Sequence, residues 1–107
     1  IQGLANTDTG INWQGVKTSA FTLKAGEGCF VNSTSAAVTI TLPASPNSGN
    51  EVRIIDAYGT SATNNITVGR NGSKIEAAAA DLTIDVNRAA IGLVYVDNTQ
   101  GWVLTEK

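Results

Sequence analysis

The chain contains no His. A Ser-His-Asp or Cys-His device is therefore impossible within one copy, and His-based zinc sites are excluded with it. The remaining acid–base candidates are carboxylates. Glu27, Glu51, Asp56 and Glu76 are the residues from which a glycosidase pair, about 5–10 Å apart, would have to be drawn. Nothing in their spacing selects two of them. Asp81 and Asp85 share one face of a strand, but four residues of strand hold them roughly 13 Å apart, too far to share a metal ion. Gly69-Arg70-Asn71-Gly72-Ser73-Lys74 has the glycines of a phosphate loop without its spacing or its following helix. The single Cys, Cys29, excludes an intrachain disulfide and is expected to be a small buried residue beside Phe30. The expectation is a protein that is not an enzyme and carries no cofactor.

Binding chemistry is better supplied. Asn, Thr and Ser crowd the stretches 44–50, 57–65 and 97–100 and the turn 70–74. Arg70 can form bidentate hydrogen bonds to an anionic sugar or phosphate, and Lys74 adds a compact charge. With Asn71, and with Tyr58, Asn64 and Asn65 in the longer loop, they are the candidate receptor-binding residues. No basic cluster exists, since the seven Lys and Arg are scattered and net charge is −2, so a nucleic-acid partner is not expected. No apolar run approaches the ~20 residues of a membrane span, so membrane insertion is not expected.

The elements that carry these loops read as strands. In Ala37–Pro43, Val38, Ile40 and Leu42 point one way and Thr39 and Thr41 the other, the pattern of a half-buried strand. Pro43 ends it by lacking an N–H. Val52 and Ile54 restart the alternation, with Glu51 and Arg53 facing out. Ser19–Lys24 and Gly28–Asn32 flank Ala25-Gly26-Glu27-Gly28 and read as a hairpin. Asn71-Gly72 predicts a second hairpin with a type I′ turn, setting Arg70 opposite Ser73, Gly69 opposite Lys74 and Val68 opposite Ile75. Ala77–Ala80 is too short for a helix and reads as a close-packed connection. Asp81–Asn87 alternates again, with Leu82, Ile84 and Val86 inward. In the last pair of strands, Val96 is set opposite Gly101, Tyr95 opposite Trp102 and Leu93 opposite Leu104. The other face of that hairpin carries Val94, Val96 and Val103, also apolar, so a second cover is needed, such as another subunit.

The fold class expected is all-β, a small antiparallel β-sandwich or interlocked β-sheets assembled as a homotrimer. Aromatics are only 6% and charged residues 15% of the 107 residues, which leaves a modest core and a surface of Thr, Asn, Ser and Gly. Trp13 is the first large anchor, expected under the domain edge or against a neighbouring subunit. The candidate interface or core residues are thus Trp13, Val94, Val96, Trp102 and Val103. The absence of Met is what a fragment of a longer protein would show.

Thr39-Ile40-Thr41-Leu42-Pro43 followed by Gly49-x-x-Val52-x-Ile54-x-Asp56 resembles the distal domains of bacteriophage tail-fibre proteins. Asn64 to Gly72, Leu93 to Asp97 and Gly101 to Leu104 extend the resemblance over roughly residues 16–104. It implies a trimeric fibre tip of the virion, with residues 1–15 as a lead-in from an upstream segment and 16–107 as the tip. The implied partners are two further copies of the chain and a glycan or protein receptor on the bacterial surface. Two other readings stand beside it: a monomeric carbohydrate-binding module, which needs an exposed aromatic platform, and a trimerisation spacer that touches no receptor.

Overall fold

Strands form where apolar residues alternate most cleanly. In the computed structural model, which describes residues 10–105, nine strands follow in order. They are β1 (Asn12–Lys17), β2 (Phe21–Thr22), β3 (Glu27–Val31), β4 (Val38–Thr41), β5 (Glu51–Asp56), β6 (Ile66–Gly69), β7 (Leu82–Ile84), β8 (Ala90–Asp97) and β9 (Gly101–Leu104). No helix lies among the described residues. The all-β expectation holds.

The strands build a five-stranded sheet, ordered β9-β8-β5-β3-β1, and a four-stranded sheet, ordered β2-β4-β6-β7. The first six strands alternate between the two sheets. β1, β3 and β5 run parallel in one, and β2, β4 and β6 run parallel in the other. The chain therefore coils, laying one strand in each layer per turn. Only then does it reverse, with β7 antiparallel to β6, β8 antiparallel to β5 and β9 antiparallel to β8. Both sheets are mixed, which corrects the expected antiparallel sandwich.

The same coiling corrects the first hairpin. β2 and β3 lie in different sheets, and Phe21 and Thr22 pair with Ile40 and Thr41. Gly26, at φ +83°, turns a corner between layers instead of folding one strand back on its neighbour. There Glu27 Oε1 accepts the Lys24 N–H, and Lys24 O accepts the Glu27 N–H. The strand β1 begins at Asn12, so the expected lead-in 1–15 overlaps the sheet by its last residues. Most of that lead-in lies outside the described residues.

One core fills the space between the layers. Cys29, Val31, Val52, Ile54, Leu93 and Trp102 from one sheet meet Val38, Ile40, Ile66, Val68 and Ile84 from the other. Val52 and Ile54 are inward and Glu51 and Arg53 outward, as expected. Cys29 is fully buried, and burial pushes its thiol up to about 11, against a lowering by Lys17. Val86 is a correction: β7 ends at Ile84, and Val86 is 64% exposed. Ala77 to Ala80 are exposed, not close-packed.

Candidate functional site

The Asn71-Gly72 turn forms as its residue types dictate. Both residues have positive φ, 50° and 88°, and Arg70 O accepts the Ser73 N–H at 3.1 Å. The ladder beyond the turn does not follow. β6 pairs with Leu82–Ile84 of β7, so Val68 lies opposite Leu82 and not Ile75. The intervening segment instead crosses to the other sheet. Trp102 N donates to Lys74 O, Glu76 N donates to Trp102 O and Ala77 N donates to Gln100 O, so residues 74–77 run along the edge of β9. Glu76 Oε2 then accepts the Leu104 N–H at 2.9 Å. An edge strand with unpaired N–H and C=O groups is a template for aggregation, and this segment covers it.

Among the receptor candidates, the turn residues are partly committed to the turn itself. Arg70 Nη1 donates to Ser73 O, and Asn71 Nδ2 donates to Leu42 O, each at 3.0 Å. Arg70 keeps further N–H donors on its guanidinium. Lys74 is half-buried. Tyr58 is 50% exposed in the loop after β5. Asn64 Nδ2 bonds Ser33 O and Thr34 O, tying that loop to its neighbour. Asn65 is exposed, and its carbonyl accepts the Val38 N–H. The structure does not bring these residues together. Asn64 and Asn65 precede β6 and Arg70 follows it. Five residues of extended chain put the two sets roughly 16 Å apart at opposite ends of the sheet.

The carboxylates raised as a catalytic pair are engaged locally. Glu51 is 3.1 Å from Arg53 in an exposed ion pair. Asp56 is the residue whose role the sequence reading missed. It is 1% exposed. Its Oδ1 accepts the N–H groups of Gly59 and Thr60, and its Oδ2 those of Ser61 and Arg88. Burial pushes the carboxyl upward, but hydrogen bonds from Arg88, Ser61 and Thr60 outweigh it and hold the group below its usual value. The signal was parity: Asp56 continues the inward series Val52, Ile54.

The outer face of the five-stranded sheet carries a run of apolar side chains. Its cross-strand rows follow from register: Val16 beside Phe30 beside Ile55, and Val94 beside Val103. Val16 is 50% exposed, Trp13 40% and Val96 39%. Glu51 and Arg53 are the charged side chains that β3, β5, β8 and β9 place among them between Gly28 and Val96. Trp13 lies flat on Phe30, with ring centroids 4.8 Å apart and planes 9° apart. Gly28 makes room for it, because a Cβ there would sit 2.7 Å from Trp13 Cζ3. Val94, Val103, Val96 and Trp13 thus fall on one face, as an interface requires. Trp102 does not: it is fully buried in the core, edge-on to Tyr95 with centroids 5.6 Å apart. Among the described residues no three His, Cys, Asp or Glu side chains gather to hold a metal ion. Comparison with protein-family models and with curated proteins finds no match to this chain.

Proposed function

We propose that this chain is a non-catalytic adhesion module, the tip of a bacteriophage tail fibre, which assembles as a homotrimer in the virion. The observation that carries the reading is the outer face of the five-stranded sheet. A solvated sheet face is expected to be polar, whereas this one carries Trp13, Val16, Phe30, Ile55, Val94 and Val103. Copies of the chain are the natural cover for it, and the resemblance of residues 16–104 to tail-fibre tips points the same way. The polar turns at the two ends of β6 then meet a glycan or protein receptor on the bacterial surface. Each contact is weak, on the order of 1 kcal/mol, and three copies multiply the effect. A specific observation favours a second reading, the monomeric carbohydrate-binding module: the ring of Trp13, stacked on Phe30 and 40% exposed, is an aromatic platform.

The test is adsorption of the labelled protein to bacterial cells. An Arg70→Ala/Lys74→Ala variant is expected to adsorb poorly while keeping its melting temperature and its mass. Undiminished adsorption by that variant moves the receptor site to loop 57–65. No adsorption by the unaltered protein removes the adhesion reading and leaves the spacer.

A further inference from the structure

A groove of about 390 Å³ opens along the side of the sandwich where the two sheets fail to match. The five-stranded sheet has one strand more than the four-stranded one, and β9 is its edge strand on this side. The groove is lined by Leu82, Ile84, Val86, Ile91 and Leu104, with Asp85 at its rim. β7 forms one wall, and among the described residues only β6 pairs with it, so its other edge is open.

The opposite side of the sandwich is the β1 edge. Its apolar residues stand out instead of leaving a recess. Val16 is 50% and Trp13 40% exposed, and Trp13 is braced flat against Phe30. The charges of the two edges match. Residues 12–24 contain Lys17 and Lys24 and no acid, while residues 81–87 contain Asp81 and Asp85 and no base. Lys17 Nζ is held 4.0 Å over the Phe21 ring, at the edge and not across the sheet face.

We propose that copies of this chain join edge to edge, the Trp13–Val16 ridge of one copy seated in the Leu82–Val86 groove of the next, with Lys17 and Lys24 facing Asp81 and Asp85. The contact is heterologous, since ridge and groove are different surfaces on opposite sides of one molecule. Such a contact gives a closed ring when the rotation between copies closes, as a trimer requires, and an open filament when it does not. The stacked Trp13 is already ordered before association, which lowers the entropy lost on binding. This placement rests on the self-assembly reading above and names the surfaces that it uses.

The test is a short bis-maleimide applied to a Val16→Cys/Val86→Cys variant and to each single variant. Both positions are exposed, so folding is expected to survive, and melting temperature checks it. The native Cys29 is fully buried and its thiol is pushed up to about 11, so it does not compete. The double variant is expected to run as covalent dimer and trimer on a denaturing gel, and each single variant as a monomer. Raised salt during labelling is expected to slow the reaction, because the rim charges are screened. Cross-linking of either single variant to itself overturns the proposal in favour of an isologous contact. A double variant that stays uncross-linked, in a protein that sedimentation shows to be oligomeric, overturns this placement alone. If the unaltered protein is monomeric, the placement and the self-assembly reading fall together.

Discussion

Before β6 the two sheets are tied by a carboxylate; after it they are tied by an indole and a strip of backbone. At the first junction, Asp56 collects the N–H groups of Gly59, Thr60, Ser61 and Arg88. Ser61 Oγ donates to Val86 O, and Ala62 N donates to Asn87 Oδ1, so the β5–β6 and β7–β8 loops meet there. At the second, Trp102 on the edge strand of the larger sheet is buried, residues 74–77 pair along β9, and Ile75 bridges to Trp102. The first junction is polar and charge-dependent. The second is apolar and depends on volume, and the Trp102 Nε1–H has no acceptor among the described residues. Polar and apolar residues thus each close one junction of this small domain, and the two closures fail under different conditions.

The largest effect is expected at the apolar junction. Trp102→Ala removes a fully buried side chain and should lower stability by about 3–5 kcal/mol, read from chemical denaturation. An unchanged midpoint would place Trp102 outside the core. Gly101→Ala is next. Its φ is +70°, and an added Cβ would lie 2.0 Å from Lys74 O, so residues 74–77 must leave the edge of β9. The expected loss is about 2–4 kcal/mol. Gly72→Ala, also at positive φ but with open space around it, should cost no more than about 1 kcal/mol and serves as the control.

At the polar junction, Asp56→Asn keeps the shape and removes the charge, and should lower stability by about 1–3 kcal/mol. The pH dependence separates the junctions more sharply. Asp56 has a folded-state pKa below its unfolded value, so its contribution is present above about pH 4 and is lost as pH falls through the lowered value. Acid should therefore destabilise the unaltered protein more than Asp56→Asn, and Trp102→Ala should keep the full acid sensitivity. Equal acid sensitivity with and without Asp56 would remove it as the charge-dependent tie.

Much of the local structure was legible because alternation reports which face a residue takes. Val38, Ile40, Leu42, Val52 and Ile54 went inward as read, and Leu93 faces Leu104 and Tyr95 faces Trp102. The last pair was misplaced by one residue at Gly101, which lies opposite Asp97 and not Val96 because a bulge follows it. Alternation does not report which strand is the partner, so β2 next to β4 looked the same as β2 next to β3. The coil hid because its steps are uneven: β1, β3 and β5 start at residues 12, 27 and 51, steps of 15 and 24. Asp56 hid because a charge at a strand end normally marks the surface. Residues 74–77 pair with β9, which lies more than 20 residues on, and nothing local to them announces it. Of the candidate site, the Asn71-Gly72 turn was legible; that Arg70 and Asn65 sit at opposite ends of β6 followed from their sequence positions once that strand was placed.

The open outer face of the five-stranded sheet remains the feature that most needs a partner, and mass in solution tests it most directly. Sedimentation equilibrium at micromolar concentration is expected to give three times the chain mass of 11.0 kDa. A Trp13→Ser/Val16→Lys variant, altered on that face and at the ridge that seats in the groove, is expected to fall to the single-chain mass with its sheet signal intact. A monodisperse single chain for the unaltered protein would contradict assembly, and would leave Trp13 on its open face as a platform for a sugar.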